Sequence, residues 1–181
     1  MKKSTRITLL VAVFIILIAA FWLLIVPHSL RAANDTQLIA TNIESTQPAL
    51  PTHDELLTLV NAERTKTGVA SLKVDERLNE SAQRKADDEV KYDYFDHVSP
   101  SDGRHGYTYA YDTGIKCSFV SENLHFGTGN FTTARATIEG WLKSKAHREA
   151  MLDSKYSLTG FGVALMKDNK TVTVVEHFCE E

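Results

Sequence analysis

The chain has 181 residues, 43% of them hydrophobic, and a formal charge of −3 at neutral pH. That charge is uneven: beyond Ala32 there are 16 basic and 23 acidic residues, a net of −7. A net acidic domain has no electrostatic reason to bind nucleic acid or an anionic lipid surface.

Residues 7–26 are unbroken by any charge, and Lys2, Lys3 and Arg6 precede them. About 20 apolar residues at 1.5 Å each match a bilayer core of roughly 30 Å. Basic residues stay cytoplasmic, so residues 1–6 are expected inside as a basic tail and the rest of the chain outside. We therefore expect one transmembrane signal anchor over 7–26. The alternative is a secretory signal cleaved to release the domain. The run is longer than a usual signal core, and Leu30-Arg31-Ala32 matches a cleavage site only in part. Residues 27–52, polar and with Pro48 and Pro51 near the end, read as a linker.

A single domain over 53–181 follows. Thr52 and Glu55 form a capping box that opens a helix carrying Leu56, Leu59 and Val60, stopped at Gly68. Asp75 caps a second helix with Leu78, Ala82, Ala86 and Val90 at spacing four. Ser99–Gly106 is a loop by composition, and Tyr107–Tyr111 a short helix ending near Gly114. A strand is expected from Cys117 to His125, a turn at Gly127–Asn130, then a helix from Thr132 or Thr133 through Trp141 and helical turns over Ala146–Leu152. Alternation in Gly160–Met166 and from Val172 to Phe178, around a Lys167–Lys170 turn, predicts an antiparallel hairpin. Helices beside a small, mainly antiparallel sheet make an α+β fold, a three-layer α-β-α sandwich.

Cys117 and Cys179 are the two cysteines. Outside the cytoplasm an isolated pair is most simply a disulfide, worth about 4 kcal/mol in the chain-entropy model; two buried free thiols are the alternative.

Three segments carry candidate chemistry. His97 follows the aromatic end of the second helix. Glu122 lies between Val120 and Leu124, and if it points inward it needs a partner. Ser144 and His147, three apart, share one face of a helix. Two imidazoles and a carboxylate can bind a divalent metal or move a proton. His125 and His177 read as structural: His125 points away from Glu122 on a strand, and His177 lies on the final strand.

Taken in order, Leu59–Arg64, Asp75–Leu78, Phe95-Asp96-His97, Ser121-Glu122-Asn123-Leu124, Trp141–Ser144 with His147-Arg148, and Gly160–Val163 resemble the CAP superfamily of cysteine-rich secretory proteins, antigen 5 and pathogenesis-related proteins. The resemblance covers residues 54–178 and is closest to the bacterial, single-domain branch. It implies an α-β-α sandwich around a cleft lined by two His and two Glu, with zinc held by the histidines in some members. His97, Glu122 and His147 match three of the four. The fourth position is Ser144, so the tetrad is incomplete. A cleft of His97, Glu122, Ser144 and His147 is thus expected to bind an extracellular ligand, lipid or protein. A zinc hydrolase, with His97 and His147 as metal ligands and Glu122 as general base, is the alternative. Two histidines fall short of the three protein ligands normal at catalytic zinc, which favours binding over catalysis. A third reading makes the polar cleft network purely structural.

Overall fold

The computed structural model of the protein describes residues 48–181. The expected anchor at 7–26 and most of the linker lie outside the described residues. Among the described residues no helix is long and apolar enough to cross a membrane.

Helix α1 (His53–Lys66) opens on the expected capping box: Thr52 Oγ1 accepts from Glu55 N–H at 3.2 Å, and Glu55 Oε2 accepts from Thr52 N–H at 2.9 Å. Two orphan amides of the first turn are thereby satisfied. Leu56 and Val60 are fully buried. So is Arg64, whose guanidinium donates to the carbonyls of Ala70, Met151, Asp153 and Tyr156 at 2.7 to 3.0 Å. A buried charge is tolerated only with such partners. Arg64 therefore ties α1 to the segment that leads into the central hairpin.

After the short strand β1 (Lys73–Val74), Asp75 caps helix α2 (Glu76–Tyr92) by accepting from Arg77 N–H at 2.9 Å. The helix ends at Asp93 in the left-handed region, φ 56°. A 3₁₀ turn at Gly106–Thr108 runs into helix α3 (Tyr109–Asp112). Strand β2 (Phe119–Thr128) is followed by a 3₁₀ turn (Gly129–Phe131), helices α4 (Ala134–Lys143) and α5 (Lys145–Leu152), and strands β3 (Leu158–Leu165) and β4 (Thr171–Glu180). Strand β2 starts two residues later than expected and runs three further, because ten-residue β4 pairs along its whole length.

The sheet is mixed, in the order β1-β3-β4-β2. Strands β3, β4 and β2 are antiparallel neighbours, and β1 adds parallel to β3. Side chains on β4 alternate between two cores, as the period of two requires. Val172, Val174 and Phe178 join Leu56, Val60, Ile138, Trp141 and Met151 on one face. Val175 packs with Ala82, Ala86 and Leu124 on the other, next to Cys179 with Leu78 and Val120. Gly160 and Gly162 let α2 lie directly on β3: an added Cβ at either would sit 2.2 Å from the backbone of Leu78, Asn79 or Ala82. The expected disulfide between Cys117 and Cys179 is present, with Cα atoms 5.5 Å apart. It clamps the start of β2 to the end of β4.

Candidate functional site

Strand β2 is the edge of the sheet, and a cavity of about 490 Å³ opens across it. One wall is the chain leaving α2: Phe95, Asp96 and His97. The other is the α4–α5 junction: Gly140, Trp141, Ser144 and His147. Leu124, His125 and Phe126 of β2 lie between them. The volume falls within the range of small-ligand sites. Phe95 and Phe126 pack as a tilted pair, centroids 5.1 Å apart and planes at 40°, and remain 45% and 46% exposed, an aromatic lip on the opening.

Hydrogen bonds to the edge strand fix the α4–α5 wall. Trp141 Nε1–H donates to the outward-facing carbonyl of Leu124 at 2.9 Å, and Asn123 Nδ2–H donates to the carbonyl of His147 at 3.0 Å. Ser144 ends α4 and begins α5 with extended backbone, φ −84° and ψ 125°. Ser144 and His147 both line the cavity, but Ser144 sits at the break before α5 rather than on the helical face that their spacing suggested.

The opposite wall is held from inside. Fully buried Lys85 donates to Glu89 Oε1 at 2.8 Å, to the Tyr94 hydroxyl at 3.0 Å and to the carbonyl of Asp96 at 2.5 Å. Thr173 on β4 donates to the other Glu89 oxygen. Gly106 N–H donates to the carbonyl of His97 at 2.8 Å. Every heteroatom of this buried pair therefore has a partner, the condition under which a buried ion pair is tolerated.

Glu122 points inward, beneath α2, with a side chain only 2% exposed. Its Oε1 accepts from His97 Nδ1 at 2.7 Å and its Oε2 from His177 Nε2 at 2.9 Å. Burial pushes its carboxyl up. The bonds from His177 and His97, with the charge of Lys85, outweigh burial and hold it below the ordinary glutamate value. The Glu122 bond in turn raises His97. Burial lowers His147, helped by the charges of His97 and His125. Burial also lowers His125, whose Nε2 is bonded to the Phe131 carbonyl at 2.9 Å.

The structure thus brings His97, Ser144 and His147 to one cavity and places Glu122 behind His97 rather than in the lining. For a metal, the cavity offers the imidazoles of His97 and His147, with His97 Nδ1 already spent on Glu122. Among the described residues no group of three or more His, Cys, Asp or Glu side chains is placed to hold an ion. The donor set falls short of a three-ligand zinc centre, and no step is derived through one.

His177 is a site residue that the sequence reading treated as structural. Its register partner on β2 is Glu122. The available signal was the hairpin combined with the two cysteines: joining Cys117 to Cys179 brings Glu122 opposite the end of β4. His125 also enters the cavity lining, on the opposite face of β2 from Glu122. The polar row Ser81, Lys85 and Glu89, spaced by four, was a further signal. It runs one position ahead of the apolar row Ala82, Ala86 and Val90 and shares its buried side of α2.

Comparison with known proteins places this arrangement in a family. The model of the cysteine-rich secretory protein (CAP) family matches residues 57–178, and the chain belongs to that family. It is 32% identical over 108 residues to the Bacillus subtilis protein YkwD, covering 60% of this chain and 40% of the relative. It is 34% identical over 110 residues to the B. subtilis membrane protein YlbC, covering 60% of this chain and 30% of the relative. The matches span less than half of either relative. Among solved structures, an extracellular SCP-domain protein of Bacillus anthracis superposes with TM-score 0.58 at 22% identity, over 71% of this chain and 40% of that one. An outer surface protein of Borrelia burgdorferi gives TM-score 0.60 at 19% identity, over 70% and 90%. At these identities the structures support the fold alone.

Proposed function

We propose that this protein is a membrane-tethered, extracytoplasmic recognition module. In this reading residues 7–26 anchor the chain, residues 27–52 space it from the bilayer, and the CAP domain presents its cleft to an extracellular ligand, lipid or protein. The description of YlbC as a membrane protein and of the B. anthracis neighbour as extracellular fits that topology.

One observation carries the binding reading. Both oxygens of Glu122 are spent on imidazoles, buried His177 and half-exposed His97, so the groups left to meet a ligand are His97, His147, Ser144 and the Phe95–Phe126 lip. These form a concave, mixed apolar and polar surface without a nucleophile held beside a base or a three-ligand metal set. The test is chemical-shift mapping of a small-molecule fragment library on the protein. Hits should concentrate on Phe95, His97, Phe126 and His147 and weaken in Phe126→Ser. Hits gathered elsewhere would refute the cleft as the binding surface.

A hydrolytic reading survives in altered form. The Glu122–His97 pair has the connectivity of a carboxylate–imidazole dyad, with His97 side chain 49% exposed. In such a dyad the imidazole, not the carboxylate, takes the proton. Calorimetric titration of zinc into wild type and into His97→Ala/His147→Ala separates the metal versions. Stoichiometric binding lost in the double variant would make the cleft a metal site. Equal or absent binding in both favours metal-free recognition.

A further inference from the structure

The bond between Glu122 and His177 is one link of a longer buried chain. His177 Nδ1 lies 2.7 Å from Ser81 Oγ on α2, and both residues are completely buried. Ser81, His177, Glu122 and His97 therefore connect the underside of α2 to the cleft.

The direction of donation along this chain follows from elementary bonding. An ionised carboxylate only accepts, so Glu122 requires a hydrogen on His177 Nε2 and on His97 Nδ1. A neutral His177 with hydrogen on Nε2 has a bare Nδ1. Ser81 Oγ–H has no other hydrogen-bond partner among the described residues and supplies the proton that this nitrogen accepts. At the other end, a neutral His97 with hydrogen on Nδ1 leaves Nε2 bare. That nitrogen is the ring's only remaining polar atom, and the half-exposed side chain lines the cavity.

The sequence of partners mimics a Ser-His-Glu triad. Ser81 cannot act as a nucleophile, because it has no exposure and lies between α2 and β4. The chain works towards its other end. We infer that Ser81 and His177 are positioning residues for His97: together with Glu122 they lock His97 as its Nδ1–H tautomer and present a bare Nε2, an electron-pair donor, to the cleft. The cleft then takes a ligand that offers a hydrogen-bond donor to His97, such as a hydroxyl, amide or ammonium group. This last step rests on the cleft being the ligand site; the tautomer does not.

Gly106 seals the relay. A Cβ there would sit 2.0 Å from Glu122 Oε2 and 2.6 Å from the Lys85 methylenes. The same residue's N–H holds the His97 carbonyl. The loop thus fixes the His97 main chain while the relay fixes its ring. Outer partners that set the tautomer of a functional histidine are a recurrent device.

The experiment is a long-range proton–nitrogen correlation spectrum of the full chain in detergent with ¹⁵N-histidine, recorded at alkaline pH where imidazoles are neutral. A bare ring nitrogen resonates far downfield of a protonated one, so each tautomer is read directly. Wild type should show His97 bare at Nε2 and His177 bare at Nδ1. His177→Gln keeps an N–H donor for Glu122 and should preserve the His97 pattern. His177→Phe removes it, and His97 should revert to the Nε2–H form usual for free imidazole. Ser81→Ala leaves Glu122 holding Nε2–H and removes the donor to Nδ1, so the His177 Nδ1 resonance should move further downfield. If His177→Phe does not fold, the wild-type spectrum and Ser81→Ala still decide. His97 protonated at Nε2 in wild type, or an unshifted His177 Nδ1 resonance in Ser81→Ala, overturns the proposal. Fragment binding is measured separately, so the relay can hold while the recognition reading fails, and the reverse.

Discussion

Glu176 and His177 are neighbours on β4, and both are completely buried, yet they face opposite cores and have opposite fates. His177 has a partner on each ring nitrogen, Ser81 on one and Glu122 on the other. Glu176 faces the apolar core that holds Phe178 and Phe161. Its Oε1 accepts from Thr159 Oγ1 at 3.0 Å, and its Oε2 has no partner among the described residues. Burial pushes the Glu176 carboxyl well above the ordinary value, and the Thr159 bond and the Arg64 charge do not reverse it. Glu122, nearly as buried, is held below the ordinary value by its two imidazoles. Burial alone neutralises a carboxyl; partners on every polar atom keep it charged. One face of this strand therefore supports a charged cleft network, and the other holds a carboxyl whose burial favours the neutral form.

The harshest way to break the contrast is Glu122→Ala. It strands the Nε2–H of His177 in the core and frees His97. Removing one partner of a buried, hydrogen-bonded pair costs about 3–5 kcal/mol, which denaturant unfolding will read. An unchanged melting temperature would show that the network bears no structural load.

Trp141→Phe tests the cleft wall instead. It keeps most of the apolar contact but removes the donor to the Leu124 carbonyl, at a cost of about 1–3 kcal/mol for leaving that buried group unpaired. Cavity-directed fragments should lose affinity, because the α4–α5 wall loses its tie to β2.

Glu176→Gln sharpens the comparison with the smallest structural change. A carboxyl whose folded pKa is raised favours the fold below its unfolded pKa and progressively less as pH rises through that value. The variant should therefore match wild type in acid and exceed it at neutral and alkaline pH. Glu122→Gln has the opposite sign. A depressed folded pKa gives stability that is present above the unfolded value and lost as pH falls through the folded one. Wild type should gain on Glu122→Gln as pH rises out of the acid range. Unfolding curves of both variants against pH will show the two trends diverge, or will show that the faces do not differ.

Much of this was legible in the chain. The caps at Thr52 and Asp75, the spacing of Leu78, Ala82 and Ala86, and the alternation through Val172, Val174 and Phe178 gave helices and strands from local physics. His97, Ser144 and His147 could be gathered by resemblance. Most buried ionisable groups were not legible, the Lys85–Glu89 spacing apart. Arg64, Glu89 and Glu176 sit at positions where periodicity permits burial, but whether a charge can be buried depends on partners elsewhere in the chain. Arg64 needs carbonyls near residue 151 and beyond, and Glu89 needs Thr173. His177 required the β2–β4 register, which no local window contains. Glu122 was recognised as a candidate, yet its place behind His97 depended on that same register.

The account's central claim is that two carboxyls with similar burial differ because of their partners. Carbon-detected titration of the Glu122 and Glu176 side-chain carboxyls in one sample tests it most directly. The account predicts that Glu122 titrates below the ordinary glutamate value and Glu176 above it. Glu122 titrating at or above that ordinary value would contradict an ionised carboxylate held between two imidazoles.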